Sequence, residues 1–237
     1  MTPRIGAAVR LLASVMIASG SLFGAYSYYY TDSFATINKS AWTVNGAPLI
    51  GSAGLRTDGQ ASLISTVAVP GGSSDYEVRI TPGMSTGSGA YDILLRATPD
   101  ALSGWPVTQG SAYVFRMEIT TYYMARLDVY RMVNGSLTVL GSMWIQTLAQ
   151  LRAVVSGSVL AVYSGPSRIW ITTDGAIPSG QPGVQVEMVP DINGIRTAEL
   201  GPPDRIAPNP VASISASTFP NPCTTSLTAE STEIAEA

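Results

Sequence analysis

Three features of this sequence predict an all-β fold, a two-sheet antiparallel sandwich. From about residue 54 onward, apolar residues recur at every second position instead of every third and fourth. Turn residues punctuate these runs at intervals suited to strands, and helical periodicity is nearly absent from the middle of the chain. Many strands joined in sequence over one domain make a sandwich or a closed barrel. The sandwich is preferred, and the 237 residues leave room for one such core once both ends are set aside.

The chain opens on a signal-like segment, expected to be helical. Residues 1–10 carry Arg4 and Arg10 and no acid, and residues 11–25 (LLASVMIASGSLFGA) are apolar and small, as in the n- and h-regions of a secretory signal. Cleavage fits after Gly20, with Ala18 and Gly20 as the small residues, or after Ala25, where Phe23 fits less well. The rival is an uncleaved anchor, because Ile5 to Ala25, broken only by Arg10, approaches the roughly 20 residues that span a bilayer. Residues 1–25 are therefore read as signal peptide or anchor, the location as secreted or cell-surface, and membrane contact as confined to this segment if it stays uncleaved.

The body, residues 26–206, holds the predicted strands: 61–69, 76–82, 90–98, 112–120, 125–133, 136–145, 151–155, 158–164, 168–172 and 184–188. Asn134-Gly135 suits the two positive-φ positions of a type I′ hairpin, and Ser156-Gly157 sits likewise between alternating runs. Gly71-Gly72 with Ser73, Ser74 and Asp75, and the segment SGWPVTQG (103–110), read as looser loops. From residue 202 the chain is rich in Pro, Ser, Thr and Ala without apolar periodicity. Residues 207–237 are expected to be a disordered tail carrying the single cysteine, Cys223.

Composition excludes several chemistries. The chain has no histidine, which removes Ser-His-Asp, Cys-His and His-based zinc sites. One cysteine allows neither an internal disulfide nor a thiolate metal cage. Thirteen scattered basic residues and a net charge of -3 supply no basic stripe, so nucleic acid is excluded as a partner. Charged residues are 12% of the chain, ordinary for a secreted β protein.

The order of motifs adds a resemblance. TDSF (31–34), AWTV (41–44) and GLRTDG (54–59) precede a long strand; VNGSLTVLGS (133–142), LRAVVSGSVLAVYSG (151–165) and TDGAIPSGQPGVQV (173–186) follow. Over roughly residues 31–206 this succession resembles bacterial exported domains of the concanavalin A-like lectin and glucanase superfamily, the laminin G-like jelly rolls. Asp174, Ile177, Gly180 and Gly183 are similar to the D-x-x-x-x-x-G-x-x-G segment before a late strand of these domains. The resemblance implies a jelly-roll sandwich, a sheet face often used for glycans, and sometimes a structural calcium; no other cofactor is expected. The glucanase branch carries E-x-D-x-x-E on one strand, and no such spacing occurs here.

Alternation also assigns faces. Tyr113, Phe115, Met117 and Ile119 share one side of their strand, and Val114, Arg116, Glu118 and Thr120 the other. Asp92, Leu94 and Arg96 share a side on the preceding strand, as do Arg126, Asp128 and Tyr130 on the following one. A three-residue loop (Thr121, Tyr122, Tyr123) would set Glu118 opposite Arg126 and Arg116 opposite Asp128, two charge-complementary pairs. Asp92, Arg96, Arg116, Glu118, Arg126, Asp128 and Tyr130 thus form the candidate ligand-binding patch, which reads either as a glycan or surface-polymer site or as a solvated face laced with ion pairs. The expected arginine neighbours would lower the pKa of Asp92, Glu118 and Asp128, which argues against a general acid.

Trp42, Trp144 and Trp170 lie in strand-like runs where packing explains them. Trp105 sits in a Gly-Pro loop and joins the candidate site as a ring that stacks on a ligand or folds back over a sheet edge. Tyr122 and Tyr123 are a second aromatic pair. Asp32, Asp58, Asp174 and Asp191 offer oxygen ligands for a calcium, without EF-hand spacing. Sequons occur at Asn38 and Asn134. The functional expectation is a non-catalytic module that binds a glycan or surface polymer. The alternatives are a structural or adhesive domain and a glycoside hydrolase built on two carboxylates.

Overall fold

Among the described residues, period-two patterning is realised as thirteen strands: β1 (Tyr30–Asp32), β2 (Trp42–Gly46), β3 (Thr57–Ser65), β4 (Tyr76–Pro82), β5 (Gly89–Ala97), β6 (Ala112–Ile119), β7 (Met124–Val133), β8 (Ser136–Gln146), β9 (Leu151–Ser156), β10 (Val159–Ser164), β11 (Ser167–Thr173), β12 (Gln181–Val189) and β13 (Ile195–Gly201). The computed structural model describes residues 28–83, 89–101, 109–121, 124–146, 150–189 and 194–203. The signal-like segment, Trp105, Tyr122, Tyr123, Asp191 and the tail with Cys223 lie outside them. The chain divides into two units, Met1–Asp204 and Arg205–Ala237, and the second holds no described residue.

The strands form two antiparallel sheets, ordered β1-β13-β4-β9-β10-β11 and β2-β3-β12-β5-β6-β7-β8. This is the jelly-roll sandwich class that the sequence predicts. The inward faces meet in one apolar core, with Tyr76, Val78 and Ile80 of β4 and Val155 and Val162 of β9 and β10 facing Tyr91, Ile93, Phe115, Leu127 and Val184 of the other sheet. A second apolar cluster (Ile64, Leu94, Ala97, Ala101, Ala112, Val114 and Met132) lies on the other face of the seven-stranded sheet.

Ten of these strands match predicted runs with small shifts in their ends. β3 begins four residues early because it pairs with β12 from Thr57 opposite Val189. It stops at Ser65, whose Oγ accepts the Val67 N–H and turns the chain toward a 3₁₀ turn at Pro70–Gly72. β1, β2 and β13 escaped the strand reading because they are short or outlying, and cross-chain pairing defines them. Asn134 (φ 49°) and Gly135 (φ 81°) close the β7–β8 hairpin as expected. The β9–β10 loop is Gly157-Ser158, one residue later than predicted, because Ser156 still pairs with Val159.

Candidate binding face

Strand pairing turns alternation into rows. On the face of the seven-stranded sheet away from the core, Asn45, Ser62, Gln185, Asp92, Arg116, Asp128 and Ser142 stand opposite one another, one from each strand. Two residues along, a second row runs Gln60, Glu187, Ala90, Glu118, Arg126 and Trp144. At ordinary strand spacing it is about 24 Å long. On the other side of the polar row, Ile64, Gly183, Leu94, Val114 and Tyr130 form an apolar row.

The first row is buried at Ser62, Gln185, Asp92, Arg116 and Asp128, and long side chains of the second row lean onto it. Arg116 Nη1 donates to Asp92 Oδ2 at 3.1 Å and to Oδ1 at 3.4 Å, while its Nη2 donates to Glu187 Oε2. Gln60 Nε2 donates to Glu187 Oε1 at 3.2 Å, and Ser62 Oγ to Gln185 Oε1 at 3.1 Å. Arg126 Nε reaches Asp128 Oδ1 at 3.0 Å and Ser142 Oγ at 3.2 Å. The register is the expected one, with Glu118 opposite Arg126 and Arg116 opposite Asp128. The ion pairs correct the expectation: Arg126 holds the acid two residues along its own strand, and Arg116 reaches across β5 to β12.

The electrostatics correct a second expectation. Complete burial pushes the Asp92 carboxyl up to about 7, against the lowering by Arg116, and the neighbouring Glu187 charge adds to the rise. Burial works to lower the Arg116 pKa, but Asp92 and Glu187 more than reverse it and raise it. Burial, then the charge of Asp128, also raises the Tyr130 hydroxyl.

Asp92, Arg116, Glu118, Arg126, Asp128 and Tyr130 therefore share one face, but Arg96 leaves it. β12 carries Pro182, which has no N–H to donate, and the ladder there steps from Gly183–Leu94 to Gln181–Ala97, leaving an extra residue on β5. Arg96 takes up the bulge at φ 53° and turns to the inner side. There Nη1 donates to the Ile177 carbonyl and Nη2 to the Gly157 carbonyl, both at 2.8 Å, Nε reaches the Ser74 carbonyl at 3.2 Å, and Asp75 pairs with the guanidinium at 3.4 Å. The Arg96 N–H also donates to Tyr76 Oη at 2.5 Å, tying the two sheets together. Gly180 is required beside it, since a Cβ there would lie 2.3 Å from the Arg96 carbonyl carbon and oxygen.

Trp144, expected from the sequence to be explained by packing, is instead exposed. The residue is 62% exposed, at the end of the second row, next to Arg126 and one strand beyond it from Glu118. Alternation carried the signal: Met143 and Ile145 face inward against Leu127 and Ala125, so Ser142, Trp144 and Gln146 must face out. Trp42 is buried in the core and donates Nε1–H to Asp32 Oδ2 at 2.7 Å, and Trp170 packs edge-on against Phe115.

Two of the acids considered for calcium, Asp32 and Asp174, are engaged by protein donors. Asp32 also accepts the Tyr30 hydroxyl and the Phe34 N–H, and Asp174 accepts the Tyr113 hydroxyl, the Ala176 N–H and an Arg131 guanidinium N–H at 2.7 Å. Burial raises the Asp174 pKa, but these donors outweigh it and hold the group below the usual range. Such carboxylates are committed to N–H and O–H donors, and among the described residues no three acids converge.

No protein-family model matches the sequence, and no curated protein does. Among solved structures the chain is similar to the carbohydrate-binding module CBM66 from Bacillus subtilis, with 18% identity over 70% of this chain and 95% of that chain and a TM-score of 0.49. It is also similar to a prokaryotic β-1,3-1,4-glucanase (lichenase) derived from a mouse hindgut metagenome, with 11% identity over 73% and 98% of the two chains and a TM-score of 0.45. A legume lectin-like domain from Entamoeba histolytica follows at 10% identity, over 68% and 87%, with a TM-score of 0.43. At these values the likenesses carry no weight in assigning a ligand, which has to be argued from the outer face itself.

Proposed function

We propose that this chain is an exported, non-catalytic β-sandwich module that binds a glycan on the outer face of its seven-stranded sheet. The observation that supports the reading is the in-register run of Glu118, Arg126 and Trp144, all exposed on a face that the core does not use. An exposed indole offers an apolar plane to a sugar ring, and the carboxylate and guanidinium beside it accept from and donate to ring hydroxyls. Asp128 of the neighbouring buried row holds the Arg126 guanidinium in place.

A non-catalytic role is favoured by the access of the acids. Asp92 has the proton affinity of a general acid, but it is fully buried against the Arg116 guanidinium. Asp128 is buried and paired with Arg126, so only Glu118 among the three meets solvent. A two-carboxylate hydrolase needs both acids at the substrate.

The test is an array of glycans and polysaccharides probed with and without calcium, using the full chain and the Trp144→Ala, Glu118→Gln and Trp105→Ala variants. Binding lost in Trp144→Ala supports the outer face, and binding lost only in Trp105→Ala moves the site to the segment around Trp105. No binding to any glycan overturns the reading in favour of a structural or adhesive domain.

A further inference from the structure

A concavity unrelated to the outer face lies at the β2 edge of the sandwich. Thr43 and Asn45 of β2 point outward, so Trp42 and Val44 point in toward the core. The β1–β2 connection adds Ile37 and Lys39, the β2–β3 connection adds Pro48 and Ile50, and these six residues line a cavity of about 420 Å³. Its walls are fixed by the backbone. The Gly51 N–H donates to the Phe34 carbonyl at 3.1 Å and so ties the two connections together, while Leu49 and Arg56 exchange hydrogen bonds of 2.8 and 2.9 Å. The inner wall is fixed as well. Trp42 packs between Tyr30 and Phe34, with ring centroids 5.9 and 6.0 Å away, and its only polar atom, Nε1, donates to Asp32.

From this lining we infer that the cavity binds a medium-chain fatty acid, its alkyl chain against Ile37, Val44, Pro48 and Ile50 and its carboxylate on the Lys39 ammonium. The volume is that of a small-molecule site, and the composition is mostly apolar with one polar group to orient a ligand. Lys39 is the only lysine of the chain. It is exposed, and among the described residues it makes no ion pair, so its charge is available to an incoming anion. No acid lines the cavity to oppose that anion. The lysine stem can cover the apolar wall while its ammonium stays in water, so the carboxylate is held at the mouth without being buried. A sugar suits this lining poorly, because its hydroxyls would meet a single polar side chain there.

The proposal does not depend on what the outer face binds. Titration calorimetry of the full chain with hexanoate, octanoate and decanoate, each below its micelle concentration, should show one saturable site per chain. Its Kd should fall by up to about fourfold for each added CH2. Octanol should bind more weakly than octanoate. Lys39→Gln changes an exposed side chain and should bring octanoate to the octanol level with an unchanged thermal melt, and Lys39→Arg should keep the preference. Ile37→Gln should weaken both ligands, whereas Ile171→Gln, which removes an exposed apolar side chain from β11, should weaken neither. If Ile37→Gln does not fold, the two Lys39 variants decide. No saturable binding, octanoate and octanol binding alike in the wild-type chain, wild-type octanoate affinity in Lys39→Gln, or binding lost in Ile171→Gln overturns the proposal.

Discussion

Arg116 lies 3.1 Å from Asp92, yet Asp92 keeps its proton to about pH 7, because burying the carboxylate costs more than the guanidinium beside it offsets. The group's ordinary value is 3.8. Between those two values the folded chain binds a proton that the unfolded chain has released. The resulting stabilisation is complete below about pH 4 and is lost as pH rises through about 7. The denaturant unfolding free energy of the wild-type chain should therefore fall with rising pH relative to that of Asp92→Asn, which does not titrate there. The difference in unfolding free energy should fall by about 2 to 4 kcal/mol from pH 4 to pH 7. Parallel curves would mean that burial does not dominate at this carboxylate.

Removing the other partner should act in the opposite sense. Arg116→Ala leaves Asp92 and Glu187 without their shared cation, at a cost of about 3 to 5 kcal/mol when Asp92 is charged. Since Asp92 can escape that cost by taking up a proton, the loss should be smaller at pH 5 than at pH 8. Melting temperatures of the wild-type chain and the variant at the two values test this. An equal loss at both would show that Arg116 acts through packing alone.

How far the site was legible follows from one bulge and two lengths. The register of β6 against β7 was readable because both strands alternate cleanly and the connection between them is short, so Glu118 fell opposite Arg126 as expected. The bulge at Arg96 was not readable from β5, because its cause, Pro182, lies 86 positions later on a strand that becomes a neighbour only in the folded chain. The partners of Arg116 and Arg126 were equally hidden, since a long side chain chooses among acceptors along and across strands. Glu187 joins the cluster from β12, which no local pattern links to β6. Burial of Asp92 depends on those choices, which is why the direction of its pKa shift came out reversed.

The relocated Arg96 should be structural. Its guanidinium donates to three carbonyls and pairs with Asp75, gathering the loops around Ser74, Gly157 and Ile177 onto β5. Arg96→Ala should cost about 3 kcal/mol or more, because those buried acceptors lose their donor. Arg96→Lys should recover little of that, since an ammonium cannot serve a planar fan of acceptors. Denaturant midpoints measure both. Full stability in the lysine variant would show that charge alone suffices there.

Two tryptophans that look alike in the sequence should behave differently in solution. Trp42 is sealed in the core with its Nε1–H on Asp32, so Trp42→Phe should destabilise the chain by about 1 to 3 kcal/mol through the lost donor. Trp144 is exposed on β8, so Trp144→Phe should move stability by no more than about 0.5 kcal/mol. Iodide, which reaches only solvent-facing indoles, should quench the wild-type emission in part, and Trp144→Phe should lose more of the quenchable fraction than Trp42→Phe. A glycan that binds the outer face should protect that same fraction from iodide in the wild-type chain. If a bound glycan left the quenching unchanged, its contact would lie away from Trp144, whatever the affinity.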